Sequence, residues 1–541
     1  MEKSKKILAL LLVCLMIFTV VSCGGGGNGG GNDTPAASPS ADNPAGNSPG
    51  GSSPGESSPG GNTGNADSGR ELNVAVTQDS GTLYPIGSAG NWVTAIYCIY
   101  DALLDTYPDG TRRWILAEGI DPIDEIHSTM RIRKGVTFSN GNPLTADDVL
   151  FSMELYSKDP TFGLVTKVVD FSKTAVIDDY TIDLWYTNYN ASQEVGLCQC
   201  WIMDKESFDE ISMATNPIGT GPYVVKDYVV NSHLSLEARE DYWGGAPTIK
   251  NLNLKVINET SQIINAIETG EVDAAAIPIK DVNYVRDIGY DVEVIAGGGA
   301  STVSYNMSPD SPLASKEARW AISMAIDRQA IADLLYGGLS SVPAYPASHA
   351  ATDFEPRFAN IHEIYSVGYN PDRARELAEQ AGLVGKTLRI VTNGADDYIT
   401  IAEIMMENLR DIGITVEIVN YEMASYFSVI NDPTAWDIAM ATTSTPSALA
   451  SDALGMYLMF NPQGWSGPDY SDYMALSAKA LGTFDPAQAS EYLYQTIVMF
   501  EDFCPWYALC ETMYSRAKVP ELKGVQYMLA QNVYYQDVYW G

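Results

Sequence analysis

Residues 135–156 read GVTFSNGNPLTADDVLFSMELY, and this stretch predicts more about the fold than any other in the chain. Asn140 and Gly141 favour a tight turn, because both residue types tolerate positive φ. Thr145 is followed three residues later by Asp148, which is the spacing of a capping box at a helix start. Apolar residues then recur at helical spacing. The stretch therefore predicts a strand end, a turn and a helix, which together are scaffold rather than chemistry.

The flanking sequence predicts further strands and turns. Residues 128–135 alternate as a strand that leads into the turn, and residues 70–77 predict the first strand of the folded body. Residues 92–104 are apolar and predict a helix. Residues 174–186 predict a strand hairpin. The sequence GTGPY at 219–223 predicts a sharp chain reversal, because two glycines and a proline surround one threonine.

The C-terminal half predicts alternating helices and strands. Residues 315–336 predict one helix, capped by Ser315 and ended by Gly337. Residues 388–419 predict a strand, a helix and a strand, which implies parallel pairing with a right-handed crossover. Residues 436–441 predict a further buried strand. The sequence therefore indicates an α/β fold.

The N-terminal segment has the pattern of a signal peptide, predicted over residues 1–22. Three lysines precede an apolar run, residues 7–21, that is too short for a comfortable membrane span. Residues 20–23, VVSC, resemble the lipobox of bacterial lipoproteins, in which Cys23 would receive a diacylglycerol; the alternative is an ordinary signal peptide. Residues 24–69 are almost entirely Gly, Ser, Pro, Asn, Asp and Thr, a composition that predicts disorder. Residues 23–69 are therefore predicted to be the lipidated cysteine followed by a disordered tether.

Composition and charge exclude several classes of function. The formal net charge of −36 would repel the phosphates of nucleic acids, so nucleic acid is excluded as a partner. The four histidines are scattered, and no nucleophile elbow or P-loop occurs, which indicates neither a metal site nor a catalytic centre. The chain is therefore predicted to be no enzyme and to hold no cofactor. Cys504 and Cys510 could pair, and the sequence leaves that pairing open.

Three separated signatures then resemble one family. The pattern of residues 135–154, the sequence YWGGAP at 242–247 followed by IETGEVDA at 267–274, and AIDR at 325–328 occur in the order found in the extracellular solute-binding proteins of family 5. These proteins feed peptide, nickel and sugar ABC importers. The resemblance extends from about residue 70 to the C-terminus.

The resemblance implies a two-lobed periplasmic-binding-protein-like fold of type II, cluster C, with an extra small domain in the first lobe. The implied division is a main lobe of residues 70–112, 215–298 and 515–541, an extra domain of residues 113–214, and a second lobe of residues 299–514.

The resemblance also implies a function in solute capture. The protein would enclose a peptide or related polar solute between hinged lobes and deliver it to an ABC permease with cytoplasmic ATPases. It would be a monomer that is anchored by its lipid on the extracytoplasmic face of the cell membrane. The surface of a Gram-positive cell is favoured, and a periplasmic location is the alternative. Sugar, oligosaccharide or metal-chelate ligands, and a ligand-sensing receptor without transport, remain as alternatives.

Peptide binders of this family commonly carry an acidic residue after the strand that corresponds to 436–441. Here the chain continues TTSTPSALAS before Asp452, which favours a neutral polar ligand or one bound through water. Candidate ligand contacts fall in loops that the family uses or beside a crossover strand. They are Tyr84, Asn91, Trp92, Tyr305, Asn306, Thr443, Ser444, Thr445 and Trp465.

Overall fold

The structure is a computed structural model that describes residues 69–88, 92–108, 110–159, 166–443, 449–459, 470–529 and 532–541. Asn91, Ser444, Thr445, Trp465 and Cys23 lie outside these ranges. The strands of the described ranges are β1 (Leu72–Val76), β2 (Leu104–Thr106), β3 (Arg112–Trp114), β4 (Ala117–Asp124), β5 (His127–Ile132), β6 (Ala175–Asp178), β7 (Thr181–Trp185), β8 (Tyr223–Val229), β9 (His233–Ala238), β10 (Asn251–Val256), β11 (Ala274–Ile277), β12 (Asp291–Tyr305), β13 (Thr387–Thr392), β14 (Thr415–Asn420), β15 (Ile438–Thr443), β16 (Trp506–Lys518), β17 (Leu522–Lys523) and β18 (Tyr539–Trp540).

Helices of the same ranges pack around these strands. They are α1 (Val93–Ile99), α2 (Ala146–Lys158), α3 (Glu210–Met213), α4 (Thr260–Glu268), α5 (Val282–Asp287), α6 (Lys316–Ala325), α7 (Arg328–Tyr336), α8 (Glu363–Ser366), α9 (Pro371–Gln380), α10 (Asp396–Asp411), α11 (Met423–Ile430), α12 (Ala450–Met459), α13 (Ser471–Gly482) and α14 (Pro486–Phe503). Among the described helices, none combines the length and the apolar character that a membrane crossing requires.

One ten-stranded sheet runs through both lobes in the order β14-β13-β15-β12-β16-β11-β1-β10-β9-β8. In the first lobe β1 pairs parallel with both β10 and β11. In the second lobe β13 pairs parallel with both β14 and β15. The long strands β12 and β16 pair antiparallel along most of their length and belong to both lobes. They form the connection on which the lobes are hinged.

A four-stranded antiparallel sheet in the order β4-β5-β7-β6 forms the extra domain together with α2. Its strands alternate, so that Met130, Ile182 and Leu184 are buried while their neighbours are more exposed. These side chains belong to the same apolar cluster as Leu72 and Leu252 of the main sheet. The extra domain therefore shares a continuous core with the first lobe.

The stretch at residues 135–156 forms the predicted turn and helix. Gly141 has a φ of 92°, and the Gly141 N–H donates to the Phe138 carbonyl. Thr145 caps α2 in a capping box with Asp148, whose Oδ2 accepts from the Thr145 N–H at 2.8 Å. The prediction of this local structure is confirmed.

Two helix predictions differ from the structure. The helix predicted over residues 92–104 ends at Ile99, because the Ile99 carbonyl accepts from the Gly221 N–H at 2.9 Å and the chain then enters β2. The helix predicted over residues 315–336 is two helices, since Ile326 is extended and Asp327 caps α7 by accepting from the Ala330 N–H.

Other elements agree with the predictions. The strand–helix–strand unit β13-α10-β14 is parallel as expected, and the hairpin of β6 and β7 is present. The five described cysteines are free and buried, so Cys504 and Cys510 do not pair in the structure.

Candidate ligand cleft between the lobes

The strand directions define a cleft at the hinge. Strand β11 runs toward the hinge beside β16, and β15 runs toward it from the other side beside β12. The carboxyl ends of the two parallel strand sets therefore face each other across the hinge strands. In open α/β sheets, ligands bind outside the carboxyl ends of the strands. The candidate cleft is the space between these two edges.

Glycines allow the hinge strands to bend at this point. The pairing of β12 with β16 shifts register between Ala296 and Ala300. Gly298 has a φ of 67°, a conformation that favours glycine. A Cβ on Gly297 would collide with the Tyr514 ring, so this position also requires the absence of a side chain. The hydroxyl of Thr512 donates to the Gly299 carbonyl at 3.0 Å and fixes the far side of the bend.

Hydroxyl groups line the second-lobe edge of the cleft. Thr443 ends β15, and its hydroxyl donates to the Ala300 carbonyl of β12 at 3.2 Å. The hydroxyl groups of Thr442 and Tyr398 lie 2.6 Å apart. Tyr398 sits near the start of α10, directly beyond the carboxyl end of β13. The Thr442 and Tyr398 hydroxyls offer hydrogen bonds to a polar solute, whereas Thr443 is 5% exposed and its hydroxyl bonds within the sheet.

A lysine and an aspartate interact electrostatically across the hinge. Burial, and secondarily Asp396, raise the pKa of Asp397 at the start of α10, while the ammonium group of Lys280 lowers it. Lys280 lies in the 3-10 turn Ile279–Asp281, which follows β11 in the first lobe. A cation of the first lobe thus acts electrostatically on a carboxyl group of the second lobe.

A buried carboxyl group stands beside the hinge on β16. Glu511 is 3% exposed, and its carboxylate accepts from the Ser348 hydroxyl and, at 2.8 Å, from the His349 N–H. Burial raises the pKa of Glu511 to about 7, although these hydrogen bonds lower it. The His349 Nε2 accepts from the Ala344 N–H at 3.0 Å, so the other ring nitrogen carries the proton and faces Glu511 at 3.4 Å. Burial lowers the pKa of His349.

The structure brings only one of the described candidate residues to this cleft edge, Thr443. Tyr305 is fully buried, and its hydroxyl lies 2.8 Å from that of Ser323 inside the second lobe. Asn306 is 2% exposed, and its Nδ2 donates to the Trp436 carbonyl at 2.7 Å. Tyr305 pairs with Ile438 at the amino end of β15, which is the end away from the hinge. Both side chains therefore make contacts within the second lobe.

Tyr84 and Trp92 lie in the first lobe after β1. The Trp92 indole is fully buried, donates to the Thr82 carbonyl at 2.9 Å and stacks on Tyr228 with ring centroids 5.7 Å apart. Tyr84 is half-buried and packs near Phe208 at 6.2 Å. These contacts order the loop that follows β1.

Sequence reasoning missed several residues of the cleft. Asp397 and Tyr398 follow the first strand of the predicted βαβ unit. Their position beyond the carboxyl end of that strand could have identified them as candidate ligand contacts. Glu511 gave no such signal, since the strand β16 that carries it was not predicted. Within the described ranges, no group of three His, Cys, Asp or Glu side chains is arranged to hold a metal ion.

Comparison with known proteins identifies relatives with this architecture. The nickel-binding protein NikA of Staphylococcus aureus is 23% identical over 386 residues, which cover 70% of this chain and 75% of that protein. The oligopeptide-binding protein AppA of Bacillus subtilis is 25% identical over 350 residues, covering 60% of this chain and 63% of that protein. The crystal structure of the ABC transporter substrate-binding protein CtaP of Listeria monocytogenes superposes with a TM-score of 0.77 at 21% identity, covering 87% of this chain and 99% of that one.

The family assignment rests on the match to a family model that covers more than half of the chain. The model of the bacterial extracellular solute-binding proteins, family 5 (middle part), matches residues 116–493, a span that includes most of the extra domain, the hinge strand β12 and most of the second lobe. Members of this family are extracytoplasmic binding proteins that take small-molecule or peptide ligands and work with ABC permeases. The chain belongs to the bacterial extracellular solute-binding proteins of family 5.

Proposed function

We propose that the protein is the extracytoplasmic substrate-binding component of an ABC importer, and that it captures a peptide or related polar solute between its lobes. The observation that carries this proposal is the opposition of two sets of parallel strand ends across hinge strands bent at Gly297 and Gly298. A ligand that contacts both edges binds the closed form better than the open form, and that difference drives closure. The closed form then docks on the permease.

We infer a polar ligand from the cleft edge. Thr443 lies there, and the next residues of the chain, Ser444 and Thr445, carry the same hydroxyl chemistry. Asn91 and Trp465, which lie outside the described residues, remain proposed ligand contacts. We propose a peptide first, since relatives are named as binding oligopeptides and dipeptides, and a metal chelate second, since another relative is named as binding nickel. Sugars and oligosaccharides are a third class.

A thermal-shift screen against tripeptides, oligosaccharides and nickel–histidine tests the ligand class. A ligand present at 100 times its Kd adds about 2.7 kcal/mol to the free energy of unfolding. A shift with peptides supports the proposal, and a shift with nickel–histidine alone would replace peptides by chelates. No shift with any peptide contradicts the peptide assignment.

A matched pair of variants tests whether the ligand lies in the cleft. Thr442→Val removes a hydroxyl at the carboxyl end of β15, whereas Thr415→Val removes one at the amino end of β14. Binding at the proposed site should weaken only in the first variant. Equal binding by both variants would place the ligand elsewhere.

The proposal includes attachment to the membrane. Cys23 would carry the lipid, residues 23–69 would form the tether, and the lobes would divide at about residues 298 and 514. The Cys23→Ala variant should appear in the soluble fraction of the cells, while Cys98→Ala, which alters a buried thiol, should stay in the membrane fraction. Retention of the first variant in the membrane fraction would contradict lipid anchoring.

We further propose that the solute leaves the protein chemically unchanged. Mass spectrometry of a bound peptide after prolonged incubation should recover the intact peptide. The appearance of fragments that scale with protein concentration would instead indicate a hydrolase.

A further inference from the structure

A second contact joins the lobes away from the hinge strands. The Ala191 N–H of the extra domain donates to the Leu481 carbonyl at the end of α13, at 2.8 Å. The rings of Tyr189 and Phe484 meet edge-to-face, with centroids 5.3 Å apart and planes at 83°. None of these four residues belongs to β12 or β16, so the contact is independent of the hinge.

Both sides of this contact are held in place by local structure. On the extra domain, the Asn190 side chain accepts from the Ser192 N–H at 2.8 Å, and the Gln193 N–H donates to the Asn190 carbonyl at 2.8 Å. This turn aims the Ala191 N–H outward. On the second lobe, Phe484 precedes Asp485, which caps α14 by accepting from the Gln488 N–H. Two short, ordered turns therefore meet.

The chemistry of Phe484 supports a role in the contact rather than in the core. Its side chain is 48% exposed, at a position between two helices where a polar residue would be expected. Its ring contact is with the other lobe, and burial raises the pKa of the Tyr189 phenol that it meets. An edge-to-face aromatic pair favours association beyond its buried area. Opening the lobes would break both this pair and the Ala191 hydrogen bond.

We propose that residues 189–191 and 481–484 form a latch that stabilises the closed arrangement of the lobes. The latch acts without touching the ligand edge of the cleft, so it adds to closure whatever solute is bound. By raising the closed fraction it strengthens apparent affinity and slows release, because a binding-competent state that is more populated binds more tightly.

Hydrogen exchange at the Ala191 amide measures the latch directly and needs no ligand. In the full-length protein this amide is expected to be protected. Phe484→Ala should speed its exchange by about 2- to 10-fold, the range that the loss of an aromatic pair allows. The control is Tyr369→Ala, which removes an aromatic side chain of the second lobe that is 46% exposed, and it should leave the Ala191 amide unchanged.

A double-mutant cycle separates a latch from local loosening. Tyr189→Ala should speed the same exchange, and the double variant should add little to the larger single effect, since either change removes the ring pair. The radius of gyration measured by small-angle X-ray scattering should rise in all three variants. Three outcomes would each contradict the latch proposal. They are an unprotected Ala191 amide, fully additive effects of the two substitutions, and an equal exchange response to Tyr369→Ala. None of these outcomes depends on the identity of the solute, so the proposed transport function is tested separately.

Discussion

Glu511 illustrates how one buried residue couples the hinge region to pH. Its pKa is raised from 4.5 to about 7, chiefly by burial. The folded protein therefore binds more protons than the unfolded chain between these values. The stabilising contribution of the protonated group is complete below about pH 4.5 and is lost as the pH rises through 7. The His349 imidazole is a basic group beside this carboxyl, with its Nδ1 3.4 Å from the Glu511 Oε1.

Replacing the carboxyl group by a neutral amide should remove this dependence. Relative to the wild type, Glu511→Gln should gain about 3 kcal/mol in the free energy of unfolding between pH 4.5 and pH 8, because it never has to bury a charge. Urea unfolding at pH 5, 6, 7 and 8 measures the difference. Glu417→Gln alters an exposed glutamate of β14 and should follow the wild-type profile. Parallel profiles for the wild type and Glu511→Gln would contradict a raised pKa.

Gly221 is required by close packing rather than by its φ angle. A Cβ at this position would lie 2.5 Å from the carbonyl carbon of Ile99, against backbone that cannot move aside. Gly221→Ala should therefore lower the free energy of unfolding by about 1–3 kcal/mol, as overpacking does. Gly119→Ala is the control, because its Cβ would meet only the mobile end of the Arg131 side chain. A loss in stability that is equal for both variants would contradict the packing argument.

At the scale of elements, the start of α2 offers two adjacent acids with different roles. Asp148 is 6% exposed and accepts from the Thr145 N–H and from the Lys205 N–H at 3.0 Å. Asp147 is exposed and pairs only with the Lys205 ammonium at the surface, also at 3.0 Å.

Removing the first acid leaves two partly buried backbone N–H donors without their acceptor, whereas removing the second breaks a solvated ion pair. Asp148→Ala should cost about 1–3 kcal/mol of stability, and Asp147→Ala should cost no more than about 1 kcal/mol. Chemical denaturation of both variants measures these values. The prediction fails if Asp147→Ala is as damaging as Asp148→Ala.

The elements show which structural signals a sequence carries. Caps are local, so Thr145 and Ser315 were both predicted as helix starts, and both cap helices in the structure. Breaks imposed by tertiary contacts are not local. The helix after Ser315 stops at Ala325 because the Asp327 N–H donates to Asn408 and the Asn370 N–H donates to Met324, two partners that are distant along the chain.

At the scale of the whole molecule, the two-lobed fold was predictable but the position of the site was not. Three ordered signatures indicated the family, and the βαβ pattern indicated parallel strands. The position of the cleft, however, depends on which strand ends meet across β12 and β16. Pairing between strands that are distant along the chain produces no periodic pattern in the sequence, so it could not be predicted. For that reason Tyr305 was predicted at the cleft, although it pairs at the far end of β15, while Asp397 and Lys280 were overlooked.

The charges across the hinge give a test of lobe closure for the whole molecule. The ammonium group of Lys280 in the first lobe lowers the pKa of Asp397 in the second, so Lys280→Glu would replace this attraction by repulsion between like charges when the lobes close. Pairs at such partly exposed positions contribute up to about 1 kcal/mol, so the ratio of open to closed molecules should rise by up to about 5-fold. Small-angle X-ray scattering at low salt should show a larger radius of gyration, and the increase should shrink at high salt because ions screen the repulsion. Lys386→Glu makes the same change in net charge at an exposed site of the second lobe and should leave the radius of gyration unchanged. If Lys280→Glu matches that control at every salt concentration, the opposite charges at the hinge do not contribute to closure.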